Sequence, residues 1–147
     1  MMLLRAVLTL LPLVTWASHA MAAPQSCEHL TQLRLPDTTI TLAVSTAGTF
    51  TPPAGNPLEG LPAFCRVVGV IRPTSDSHIE FEVWMPAAGW NGRFYGLGNP
   101  GAGGEIQYVQ IAQAVRRGYA VASTDTGHKG GITDVSWTLA ARGESAA

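Results

Sequence analysis

The sequence predicts an α/β fold: an open sheet that starts with antiparallel strands and closes on a β-α-β crossover. Three observations predict it. "HIEFEVWMP" (78–86) alternates by twos, with Ile79, Phe81, Val83 and Met85 on one side and Glu80, Glu82 and Trp84 on the other. Tyr108, Ile111, Ala112 and Val115 recur at i, i+3, i+4 and i+7, the spacing of one helix face. "RFYGLG" (93–98) and "YAVAS" (119–123) read as strands on either side of that helix, the order of a parallel crossover unit.

In chain order, the first segment is not part of this fold. Arg5 precedes a short apolar run, "AVLTLLPLVTWA" (6–17), and then small residues with Ala20 and Ala22 at an Ala-x-Ala site. That order predicts a secretory signal peptide over residues 1–22. The run is too short for a permanent span, which needs about 20 apolar residues. The expected location is therefore secreted or periplasmic, with no membrane attachment after cleavage. A lipoprotein reading would use Cys27, but "APQSC" places Pro24 and Gln25 where small and apolar residues belong.

Residues 23–60 are rich in Thr, Pro and Gly, with short β-type runs such as "TTITLAV" (38–44), and read as an extended N-terminal arm. The texture changes at "LPAFC". Residues 61–147 then carry "CRVVGVIRP" (65–73), a strand ended by Pro73, the turn "TSDS" (74–77), and the alternating strand. These two strands make an antiparallel pair. "AAGWNG" (87–92) is a loop with Asn91-Gly92 as its turn signal, and the third strand and a glycine-rich loop follow. The helix runs from about Glu105; Arg116 and Arg117 suit the negative end of its dipole, and Gly118 suits the position just past it.

Cys27 and Cys65 are the two cysteines, and in an exported chain two cysteines most often pair. Closing that loop would stabilise the fold by about 4 kcal/mol on the chain-entropy model. The chain has a net charge of −1 and 13% charged residues, so nothing draws it to nucleic acid. His29 lies in the arm and His78 heads an edge strand, so no set of metal ligands forms. No metal and no cofactor are expected.

The glycine loop "GLGNPGAGG" (96–104) is the candidate site. Gly96-x-Gly98-x-x-Gly101, with Asp125 at the end of the next strand, has the spacing of a dinucleotide-binding loop. Against that reading, two antiparallel strands come first, Pro100 removes an amide from the loop, and nicotinamide cofactors are scarce outside the cell. The glycines could also serve only a tight strand-to-helix turn. The favoured reading is an oxyanion loop. In α/β-hydrolases one amide of the hole comes from the loop after the third strand, which is where this loop stands.

"LPAFCRVVGVIRPTSDSHIEFEVWMPAAGWNGRFYGLGNPGAGG" followed by "RRGYAVASTDTGH" resembles the N-terminal part of the tannase/feruloyl esterase family, closely over Leu61 to His128 and more loosely at Cys27 and "DVSW" (134–137). The resemblance implies an α/β-hydrolase core, here an incomplete sheet truncated before the nucleophile elbow, and a secreted serine esterase acting on galloyl or feruloyl esters. It also implies that Cys27 pairs with Cys65 and that Gly98, Asn99 and Gly101 lie in the oxyanion loop. Pro100 departs from the family, which more often has glycine there. Gly101 is therefore the first candidate for the oxyanion amide and Ala102 the second.

A serine esterase needs Gly-x-Ser-x-Gly, then an acid and a histidine. The family's serine stands in a Cys-Ser pair, which is absent here. The nearest match is "GESAA" (143–147), where Ser145 has Ala147 in the last elbow position. "STDTGH" gathers Ser123, Asp125 and His128 in one turn, too short to supply converging groups from separate loops. Asp125 is expected to cap that turn, and Asp125 and His128, with Gly98 and Asn99, to line a cleft. "SWTLAARGESAA" (136–147) is where the chain is expected to leave the family pattern. The chain is thus expected to be an N-terminal fragment of an esterase for a small phenolic ester, inactive alone. The alternative is a small exported non-catalytic binding module.

Overall fold

A computed structural model describes residues 25–140. Residues 1–22, read as a signal peptide, and Ser145 lie outside the described residues. The chain runs from a 3-10 turn, Cys27–Gln32, into β1 (Thr38–Phe50), β2 (Leu58–Ile71), β3 (Ile79–Pro86), β4 (Phe94–Leu97), α1 (Tyr108–Arg116), β5 (Ala120–Thr124) and α2 (Ser136–Ala140). The five strands form one sheet in the order β1-β2-β3-β5-β4. The first three pairings are antiparallel and β4–β5 is parallel, so the predicted class holds.

Three expectations about the sheet change. The stretch read as an extended arm contains β1, a 13-residue edge strand paired with β2 through three register irregularities. Two of the three irregularities involve Gly48, whose φ of 79 a regular strand does not hold, whereas the Thr, Ile and Val positions suit a strand. β2 starts at Leu58, before the "LPAFC" boundary. β5 lies between β3 and β4 and buries Val121 and Ser123.

The third change concerns β3. Its alternation is real, but the buried members are Glu82 and Trp84, and the apolar set Ile79, Phe81, Val83 and Met85 is half-buried. The reason is the crossover: α1 packs on the face that carries Trp84. Ile111, Ala112, Ala114 and Val115 of α1 meet Leu61, Phe64, Trp84 and Val121. Phe64 stacks on Trp84 with centroids 4.3 Å apart, and Phe50 meets it edge-on at 5.0 Å. Each such side chain removed from water contributes roughly 1.5–3 kcal/mol.

Glu82 is tolerated there because every lone pair is used. Its Oε2 accepts from Arg66 Nε (2.8 Å) and Trp84 Nε1 (2.7 Å), and its Oε1 accepts from Arg66 Nη2 and from the Tyr108 hydroxyl (2.8 Å). Burial, and next the charge of Glu82, push the Tyr108 phenol well above its ordinary range. The group ties β2, β3 and α1 together from inside the core.

The helix ends as predicted. Gly118 adopts φ 78, its N–H donates to Val115, and the Tyr119 N–H donates to Ala114, a Schellman closure. A Cβ at Gly118 would stand 2.6 Å from the Gly89 carbonyl, so only glycine fits. On the other side of the sheet, Cys27 is bonded to Cys65 with Cα atoms 5.5 Å apart. Glu28 Oε1 accepts from both the N–H and the hydroxyl of Ser45, so the 3-10 turn is clamped to β1 as well as to β2.

Candidate functional site

β4 and β5 run parallel, so their carboxyl ends lie side by side, and the loops that follow them form one surface. This is the edge at which open α/β sheets build their sites. The first loop is Gly98 to Gly104 and the second is Asp125 to Thr133. They are joined by an isolated antiparallel bridge between Gly104 and Gly130.

Asn99 anchors the first loop. Its Nδ2 donates to the Thr124 carbonyl (2.9 Å) and its Oδ1 accepts from Gln107 Nε2 (2.8 Å). Gln107, which the sequence pattern did not single out, also receives the Ser123 hydroxyl oxygen as acceptor for its own N–H (3.1 Å). Its side chain therefore holds the loop while its backbone opens α1. Asn99 acts as a strut inside the loop rather than as a free group in a cleft.

Gly101 has φ 56, and a Cβ there would lie 2.5 Å from the Ile132 carbonyl oxygen. The Ala102 N–H donates to that same carbonyl (2.9 Å), the Gly103 N–H to Pro100 (3.0 Å) and the Gly104 N–H to Gly130 (2.9 Å). Among the described residues no acceptor takes the Gly101 N–H, and Gly101 is exposed. Of the two amides proposed from sequence, Gly101 is the one open to a ligand in this arrangement. Ala102 becomes open only if Ile132 moves.

Asp125 is 1% exposed. Its Oδ1 accepts from the Glu80 N–H and the Gly127 N–H, both at 2.9 Å, and its Oδ2 from Lys129 Nζ at 2.7 Å. It caps the turn, as expected, and its burial takes it away from any open cleft. Lys129 also reaches Glu80 at 2.6 Å. Burial works against its ammonium, but the bond to Asp125, then that to Glu80, outweighs this and raises its pKa above the ordinary value.

His128 Nε2 lies 2.8 Å from the Ala102 carbonyl, which can only accept, so the proton sits on Nε2. The Thr126 hydroxyl stands 3.2 Å from Nδ1 and gives its proton to the Asp125 carbonyl at 2.7 Å. The imidazole stacks on Trp137 of α2 with centroids 4.8 Å apart and borders a groove of about 470 Å³ that includes His78 and Thr126. Of the predicted cleft residues, His128 lines this groove, Gly98 is exposed with open space where a Cβ would stand, and Asn99 and Asp125 are tied into the loops. Ser123 is buried and bonded to Gln107, so Ser123, Asp125 and His128 do not converge on a common point. Thr126 holds φ 57, an uncommon conformation for a β-branched residue. Asp134 accepts from the Ser136 hydroxyl and N–H, which keep its carboxyl below the ordinary range.

With this geometry in view, the comparisons with known proteins are decisive. The model of the family described as tannase and feruloyl esterase matches residues 65–144. The chain belongs to this family. The match runs through most of "SWTLAARGESAA", so the family pattern continues past the point where it was expected to end.

An uncharacterized esterase of Xanthomonas campestris pv. campestris is 50% identical over 136 residues, covering 92% of this chain and 23% of that protein. Feruloyl esterase C of Talaromyces stipitatus is 32% identical over 143 residues, covering 88% of this chain and 27% of that one. The crystal structure of feruloyl esterase B from Aspergillus oryzae superposes with a TM-score of 0.64 at 28% identity, over 71% of this chain and 22% of that one. The chain thus spans about a quarter of the length of these relatives. The α/β fold is shared with the solved structures.

Proposed function

We propose that the chain is the N-terminal portion of an exported serine carboxylesterase acting on phenolic esters, galloyl or feruloyl. Its part in the chemistry is to supply the Gly101 N–H to the oxyanion of the acyl-transfer intermediate. One observation carries this reading. An exposed glycine N–H with no acceptor among the described residues stands at the carboxyl end of a parallel strand, on a loop pinned at both ends by Asn99 and the Gly104–Gly130 bridge. A donor held in this way needs no reorganisation when charge develops, and removing one typically costs about 2.7–4 kcal/mol of transition-state stabilisation. The Cys27–Cys65 bond supports an oxidising compartment and hence export.

The remaining chemistry is proposed to come from elsewhere in a complete enzyme. Among the described residues Ser123 donates no proton to a base, and the His128 imidazole is bonded to the Ala102 carbonyl. An oxyanion donor alone stabilises charge but supplies no activated oxygen. The chain by itself is therefore expected to hydrolyse neither methyl gallate nor methyl ferulate.

The test is a graft of residues 25–140 in place of the matching segment of the Xanthomonas relative. A folded graft that hydrolyses methyl ferulate or methyl gallate supports the assignment. A folded graft inactive on both sinks it, and turnover by the isolated chain that vanishes on Ser145→Ala would overturn the division of labour.

A further inference from the structure

The turn after β5 is bent back onto the glycine loop through two successive left-handed residues, Thr126 at φ 57 and Gly127 at φ 83. A β-branched residue is strained in that region, and such strain persists where the surrounding structure enforces it, often at a functional site. Asp125 supplies the enforcement. Its Oδ1 accepts from the Gly127 N–H at 2.9 Å, and its carbonyl accepts from the His128 N–H at 3.3 Å. The bend brings the His128 imidazole against the first loop.

The loop is shaped to receive it. Nε2–H donates to the Ala102 carbonyl at 2.8 Å. A Cβ at Gly104 would overlap the His128 carbonyl and stand 2.7 Å from His128 Cδ2, so the loop passes close along the ring. The ring also stacks on Trp137. Pro100 to Gly103 is a turn closed by the bond from the Gly103 N–H to the Pro100 carbonyl, with Gly101 and Ala102 at its corners. Three bonds from residues 128–132 hold this turn and its exit. The Ile132 carbonyl takes the Ala102 N–H, the Gly130 carbonyl takes the Gly104 N–H, and His128 holds the Ala102 carbonyl. Only the last of these uses a side chain.

We infer that His128 is a positioning residue of the oxyanion loop. Its Nε2–H fixes the Ala102–Gly103 peptide, and through the turn this keeps the Gly101 N–H directed at the developing oxyanion. His128 touches no reacting atom in this role. A displacement of about 1 Å can cost about 10²-fold in rate, so a bond two peptides from the donor is close enough to matter. The role rests on the reading of Gly101 as the oxyanion donor.

Two substitutions separate the bond from the stack. His128→Gln keeps a side-chain N–H of similar reach and loses the ring, whereas His128→Phe keeps a ring beside Trp137 and loses the donor. In the full 147-residue chain, hydrogen exchange at the Ala102 amide is expected to rise about ten-fold in the Phe variant and to stay near the native rate in the Gln variant. Unchanged exchange at Ile111 to Val115 shows the chain folded. In the graft of residues 25–140 into the Xanthomonas relative, the Phe variant should lower kcat on methyl ferulate or methyl gallate about 10²-fold with KM unchanged. The Gln variant should recover most of that loss. A Gln variant as impaired as the Phe variant, or a Phe variant with native kcat or native exchange, overturns the role. So does loss of α1 protection in both variants, because His128 would then hold the fold rather than the loop. A native graft inactive on both esters sinks the oxyanion reading instead, and Ala102 exchange then decides the clamp by itself.

Discussion

Glu82 and Asp125 are buried to nearly the same degree, 2% and 1% exposed, yet they hold different things. Glu82 is bonded wholly by side chains, from Arg66, Trp84 and Tyr108, on three elements. Asp125 is bonded by two backbone N–H groups and Lys129, and its reach is one turn and the neighbouring strand end. A carboxylate that binds side chains across layers sets how helix and sheet pack. One that binds amides sets the path of a loop. The first is a matter of global stability and the second of local shape, and substitution separates them.

The largest effect is expected at Glu82. Glu82→Ala leaves the half-buried Arg66 and the buried Trp84 N–H without their partner and should cost about 3–5 kcal/mol in urea unfolding. The joint change Glu82→Leu with Arg66→Met should recover most of that, since apolar replacement of a buried pair is often neutral. A single substitution costing under about 1 kcal/mol would show that the pair is not holding the layers.

Next comes the tether. Joint Cys27→Ser and Cys65→Ser substitution should lower stability by about 2–5 kcal/mol. Alkylation of the denatured, non-reduced chain should label neither cysteine; labelling of both would remove the bond from the account.

Asp125→Ala orphans the Glu80 and Gly127 amides, at about 1–3 kcal/mol for each unsatisfied buried group. Its signature should be local: faster hydrogen exchange at Gly127 and His128, with the α1 amides unchanged. Uniform acceleration along the chain would erase the distinction from Glu82.

The smallest change is Tyr108→Phe, about 0.5–1.5 kcal/mol at neutral pH. Burial and the charge of Glu82 raise the Tyr108 pKa in the folded chain, so its contribution is whole below the unfolded value, about 10, and is lost as pH rises toward the folded value. The native chain should therefore lose stability above about pH 10, and the Phe variant should lose less over that window. Parallel curves for the two proteins would locate the alkaline loss elsewhere.

Local signals were enough for much of this protein. The spacing of Ile111, Ala112 and Val115 identified the buried helix face, and Gly118 identified its end, because both depend on contacts within a few residues. The cap at Asp125 was legible for the same reason, its Gly127 partner being two residues away. The two cysteines were paired correctly because there was no other pairing to choose.

What only the tertiary structure decided depends on partners far along the chain. Period-two alternation shows that β3 has two faces but not which one the helix covers. Glu82 reads as solvent-facing until Arg66, 16 residues away, neutralises it and Tyr108, 26 away, donates a hydrogen bond to it. The placement of β5 between β3 and β4 is likewise a choice among pairings that the strand sequences leave open. The same holds at the candidate site. The sequence ranks Gly101 before Ala102 but keeps both as donors, and the Ile132 carbonyl, carried in by another loop, takes the Ala102 N–H and leaves that of Gly101.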